Sequence, residues 1–161
     1  MDFDIDVSGE DLLSKDYTIC IASKNGKIIK GFKFTKELIN IINSRFGEGK
    51  YKYEKSQQGK TNLKIRIYSV IIYYLFKSAN LNKKELSLTI CRDFDGKENE
   101  VKANLDYFLE QLLSFNIEIH FDRLELTSNA HLFAKAMRFD YNNTIGTYVK
   151  ITLENIETYL I

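Results

Sequence analysis

The stretch YTICIASKNGKIIKGFKF, Tyr17 to Phe34, consists of two β-rich runs flanking Asn25-Gly26. Asn-Gly in that setting predicts a hairpin with a type I′ turn, because both central residues of that turn need positive φ. Lys27, Lys30 and Lys33 then fall on an edge or surface, where charge discourages edge-to-edge pairing. Just upstream, DFDIDVSGED (Asp2 to Asp11) alternates Asp2, Asp4 and Asp6 with Phe3, Ile5 and Val7 before breaking at Ser8-Gly9. That alternation lays the three aspartates on one face of a strand. The opening of the chain therefore reads as three antiparallel strands.

Downstream the periodicity changes. Thr35 is a reasonable N-cap for KELINIINSRF, a short helix ending at Gly47. GEGKYKYEKSQQGKTN reads as a long loop or a short strand with an exposed turn. Leu63 to about Ala79 is apolar almost all round, and its length favours a buried helix over the strand that its β-branched residues suggest. A fourth strand, about Leu86 to Cys91, runs into Asp93, Asp95 and Gly96. A helix is expected at about Lys97 to Ser114, where Val101, Leu105, Phe108, Leu109 and Leu112 share a face. NIEIHFDRLEL reads as a fifth strand, Ser128 as the cap of NAHLFAKAMRF, and the C-terminal segment as a closing helix from about Leu153. Strands first antiparallel, then joined through helices, make a mixed α/β layer architecture with flanking helices.

A chain of 161 residues suits one domain with one substantial core. Hydrophobic residues at 44% and charged residues at 28% exclude a disordered chain. The longest apolar run, Ile67 to Phe76, spans ten residues. Roughly twenty are needed to cross a bilayer, so no membrane partner is expected. No basic start precedes an apolar stretch, and Cys20 and Cys91 lack metal-ligand spacing. Both cysteines read as small core residues of a reduced, cytoplasmic protein. The net charge of +1 hides segregation: residues 1–16 carry −5, residues 45–66 carry +5 and residues 92–125 carry −5.

Chemistry is expected where acids meet strand ends, at Asp6 and at Asp93 and Asp95. Carboxylates brought together there repel unless a hard divalent cation lies between them, which points to Mg²⁺ or Mn²⁺. Two such ions about 3.5–4 Å apart can activate water and stabilise the leaving oxygen of a phosphodiester. Turn and N-cap chemistry before Gly96 is the competing reading of Asp93 and Asp95. His120 falls on the polar face of its strand, and His131 is either a packing residue or a ligand. In the basic segment, Lys50, Lys52, Lys55 and Lys60 can neutralise phosphates, while exposed Tyr51 and Tyr53 can stack on bases. A solvated loop with structural tyrosines is the other reading.

The chain resembles the ribonuclease H-like superfamily. DIDVSGED resembles the family's opening strand, with an Asp followed by a small residue and glycine. The Asn-Gly hairpin matches its second and third strands, and SLTICRDFDG its fourth, ending in an Asp before a helix. SNAHLFAKAMR is similar to its last helix, in which an Asn precedes an acidic ligand. The resemblance covers most of residues 1–140, with an insertion or extended basic loop at about 35–60. It implies Asp6 and Asp93 as the first and third metal ligands and His131 in the position of a further acidic one. A histidine there is known in resolvase-like and argonaute-like branches. The family's second ligand, a glutamate on the helix after the third strand, has no counterpart in NLKIRIYSVIIYYLF. Either Asp95 or Glu10 fills in, or the fold is kept without the chemistry. Asp2 and Asp4, lacking such partners, read as solvated edge charge. Two functions follow as expectations: a metal-dependent nuclease acting on nucleic acid, with Asp6, Asp93 and His131 catalytic, or a non-catalytic nucleic-acid or protein-binding module.

Overall fold

The hairpin of residues 17–34 forms, but with a different turn. In the computed structural model, which describes residues 1–161, β2 (Thr18–Ser23) and β3 (Ile29–Lys33) pair antiparallel. Only Gly26 of the Asn-Gly pair takes positive φ, at 75°. Asn25 uses its side chain instead: Oδ1 accepts from Ser23 Oγ at 2.7 Å and from the Lys27 amide at 3.0 Å. The Ser23 amide donates to the Ile28 carbonyl, so the crossing takes four residues, too many for the two-residue type I′ turn.

β1 (Asp2–Ser8) lies between β2 and β4 (Glu85–Ile90), antiparallel to the first and parallel to the second. With β5 (Asn116–Phe121) parallel to β4, the five-stranded mixed sheet has the order β3-β2-β1-β4-β5. The outer edge of β3 is covered by Thr147–Val149, through Gly31 N–H to Thr147 O and Val149 N–H to Gly31 O, both 2.8 Å. That bridge shields the middle of the β3 edge.

Helices pack on both faces. After β3 come α1 (Lys36–Gly47), capped by Thr35 Oγ1 as expected, and α2 (Gln57–Ala79). α2 begins at Gln57 and not Leu63, because Ser56 Oγ accepts from the Gly59 amide and starts the helix inside what read as a loop. Its buried residues meet Phe3, Ile5, Leu88 and Ile90 of the sheet in one contiguous apolar cluster, with Phe3 edge-on to Phe76 at 5.0 Å. α3 (Glu98–Leu105) continues as a π-helical turn, Asp106–Leu112, in place of one long α-helix. Phe108 and Leu109 are both buried there, while Leu112 is 39% exposed, off the face it was expected to share. On the opposite face α4 (Asn129–Arg138) covers β1 to β3, with Thr18 Oγ1 donating to Ala134 O at 2.6 Å. A short α5 (Leu153–Glu157) closes the chain through a Thr152–Asn155 capping box. No helix is long and apolar enough to cross a membrane.

Because β1 is central, Asp4 is not edge charge. Its side chain is 13% exposed, and Oδ2 accepts from Ser128 Oγ at 2.8 Å. Ser128 thus precedes α4 without capping it.

Gly59 tests the start of α2. A Cβ there would sit 1.8 Å from the Glu54 carbonyl oxygen. Gly→Ala inside a helix ordinarily gains about 0.8–1 kcal/mol. Here backbone crowding reverses the sign, and Gly59→Ala should destabilise by about 1–3 kcal/mol in chemical denaturation.

Candidate metal centre

The site forms where β1 and β4 end side by side. Their parallel register pairs Ile5 with Ile90, and the Cys91 amide extends the ladder by donating to Ile5 O at 3.1 Å. That bond sets Cys91 beside Asp6, on the face opposite the Phe3 and Ile5 core. Asp93 follows two residues after Cys91, and its carboxylate lies at the same point. A carboxylate oxygen of Asp6, the Cys91 sulfur and a carboxylate oxygen of Asp93 all lie within 4.8 Å of one another. The ends of parallel strands are where α/β sheets place ligands.

Asp6 is buried and held at both oxygens. Oδ1 accepts from the Val7 amide at 2.8 Å, and Oδ2 accepts from His131 Nδ1–H, on the third residue of α4, at 2.9 Å. Each oxygen keeps a second lone pair for another partner. His131 is 35% exposed, and with Nδ1 committed its Nε2 is the free ring nitrogen.

Like charges crowd the cluster. Desolvation, the Asp6 carboxylate and Asp95 together push Asp93 up to about 7, although the residue as a whole is exposed. Burial and then the two carboxylates push the Cys91 thiol up to about 11, so it is protonated at neutral pH. Tyr68, on α2, is buried and its hydroxyl has no hydrogen-bond partner. Burial raises its pKa well above the ordinary value, and the charges of Asp93, Asp6 and Cys91 act in the same direction. Tyr68, Cys91 and Asp93 line a cavity of about 10 Å³, room for roughly one water.

These placements correct several expectations. Asp95 lies outside the three-residue cluster and acts on it only through charge. The α3 N-cap is Lys97, without a side-chain capping bond, so neither Asp93 nor Asp95 caps that helix. His131 reaches the cluster through Asp6 and supplies none of the three converging atoms. Cys91 lies one residue beyond β4, half-buried among carboxylates and not in the apolar core, whereas Cys20 is buried as expected. Cys91 and Tyr68 are the residues that sequence reasoning missed. The Cys91-x-Asp93 spacing at a strand end was the available signal for the first. Nothing separated Tyr68 from the apolar run around it.

The basic segment is fastened to the C-terminus. Tyr51 is buried, not exposed, and its hydroxyl donates to Glu157 Oε2 at 2.8 Å, so no ring face is free for a base. Arg45 pairs with the same carboxylate. Tyr53 is half-buried against the core with Lys52 over its ring, and Lys50 pairs with Glu48 at 2.9 Å. Lys55 is exposed and Lys60 half-exposed. Lys60, Lys64 and Tyr68 recur at four-residue spacing along α2, which puts Lys60 about 12 Å from Tyr68 along the helix. Lys64 pairs with Asp11 in the β1–β2 loop at 2.8 Å.

Comparison of the chain with family models, with curated proteins and with solved structures gave no match.

The raised Asp93 pKa has a definite sign. Its proton is held more tightly in the folded state than in the unfolded one. Its contribution to stability is therefore full below about pH 4 and is lost as pH rises to about 7. Asp93→Asn should raise stability at pH 8 by about 1 kcal/mol, solvent screening having reduced the effect. Thermal melts at pH 8 and pH 4 should show that gain shrinking toward zero at the lower pH.

Proposed function

We propose that this chain is a ribonuclease H-like domain that hydrolyses nucleic-acid phosphodiesters with a divalent cation. One observation carries the reading: Asp6 and Asp93 meet at the ends of adjacent parallel strands, with His131 bonded to Asp6. The sheet supports it, since an antiparallel opening continued by parallel β4 and β5 through helices is the arrangement the resemblance implies.

In this reading Asp6 and Asp93 hold the cation, and Mg²⁺ or Mn²⁺ suits their oxygen donors. The cation supplies Lewis-acid polarisation of the phosphate and activation of water. Asp6 fixes the His131 ring through Nδ1–H, which leaves Nε2 as the acceptor for a proton from the attacking water. Lys60, with Lys55 beyond it, would meet the phosphate backbone as it leaves the site. The binding role of Lys50 and Lys52 is weaker, because Glu48 and Tyr53 already engage them.

One feature favours a second reading, the non-catalytic binding module. Tyr68 lies on α2, the second helix after the hairpin and the segment in which the resemblance would place the family's glutamate, and it brings no charge to the cluster.

Cleavage of labelled single- and double-stranded DNA and RNA with Mn²⁺ separates the two. Asp6→Asn and Asp93→Asn should each abolish cleavage, and His131→Ala should lower kcat about 10²–10⁴-fold. Cleavage that survives both aspartate changes would sink the nuclease. Salt-sensitive binding that EDTA leaves untouched, with no cleavage, would establish the module. In either case Lys60→Ala should reduce the slope of log affinity against log salt by about 1.

A further inference from the structure

The donor set is not the all-oxygen set that a magnesium site uses. We infer that Cys91 is the third cation ligand of this centre, and that the centre is therefore built for a thiophilic divalent ion such as Zn²⁺ or Cd²⁺ in preference to Mg²⁺. The inference rests on the reading of Asp6 and Asp93 as cation ligands and specifies which cation they hold.

Two independent observations point the same way. First, the sulfur lies within 4.8 Å of both carboxylate oxygens, a span that one ion can bridge, and neither Asp95 nor Glu10 joins it there. The helix that lacks an acid is thus compensated from the neighbouring strand end. Sulfur selects softer metals, whereas Mg²⁺ takes carboxylate, carbonyl and water oxygens. Second, the Tyr68 hydroxyl is 1% exposed as a residue and has no hydrogen-bond partner, beside a cavity it shares with Cys91 and Asp93. A buried donor without an acceptor costs about what a lost hydrogen bond does. The surrounding protein atoms provide no acceptor, and the cavity that Tyr68 lines with Cys91 and Asp93 has room for about one water.

The exchange balances as a proton displacement. The S–H bond of Cys91 breaks, its proton passes to buffer, and the sulfur–metal bond forms. Nothing is oxidised or reduced.

Titration of the full chain with Cd²⁺, and separately with Mg²⁺, tests this. Cd²⁺ should bind with the ultraviolet charge-transfer band of a cadmium thiolate, and at least about tenfold more tightly than Mg²⁺. Cys91→Ser should lose the band and at least about tenfold in Cd²⁺ affinity while retaining Mg²⁺ binding. Cys20→Ser, which alters the other thiol, should keep the band. Circular dichroism and thermal melts establish that each variant is folded. Cd²⁺ binding without a thiolate band, or equal Cd²⁺ affinity in Cys91→Ser, overturns the role of Cys91 yet leaves an oxygen-ligated site standing. Absence of binding by either ion overturns the metal reading itself.

Discussion

The parallel register between β1 and β4 is the constraint on which the rest of the site depends. Ile5 opposite Ile90 buries both side chains against α2, and the same alternation turns Asp6 and Cys91 to the other face. A slip of one residue would exchange those faces, placing Asp6 in the apolar core and Ile5 under His131. The core therefore enforces the site. The apolar surface of Phe3, Ile5, Leu88 and Ile90 holds a register that carboxylates alone would resist.

That arrangement concentrates groups whose charges and donors are poorly matched among themselves. Asp6 is satisfied by the Val7 amide and His131, but Asp93 has only repulsion from Asp6 and Asp95, and Tyr68 has a donor with no acceptor. Other polar groups are paired, as where Arg45 and Tyr51 share Glu157 and Asp140 accepts from Tyr148 and the Ile145 amide, while Asp4 Oδ1, Asn43 Oδ1, Arg138 Nε and Thr147 Oγ1 are buried without a hydrogen bond. What distinguishes this strand end is that like charges and an unpaired donor come together there, a combination that clusters at functional sites.

Local physics was legible in the sequence wherever it was strong. Period-two alternation marked β1 and β5, β-rich runs around Asn25-Gly26 marked the hairpin, and a capping threonine marked α1. The turn type failed because Asn25 had a better use for its side chain than positive φ. The helix after β4 was legible from its spacing, but nothing in that spacing marked its second half as π-helical. α2 started early because Ser56 provided a cap that hydropathy does not register. Within the site, Asp6 and Asp93 could be named from strand-end position. Cys91 and Tyr68 could not, because their importance lies in what they face.

By itself the sequence determined most of the elements, the polarity of each face, and the positions of Asp6 near the end of β1 and of Asp93 just past β4, since these follow from periodicity and local hydrogen bonding. Only the tertiary structure decided that β1 is central, that His131 reaches the cluster through Asp6, that Tyr51 serves the C-terminus, and that a thiol completes the cluster. Those facts depend on contacts between residues as many as 125 positions apart, as with Asp6 and His131. Contacts at that separation are selected by the packing of the whole sheet between its helices, and no local pattern encodes them.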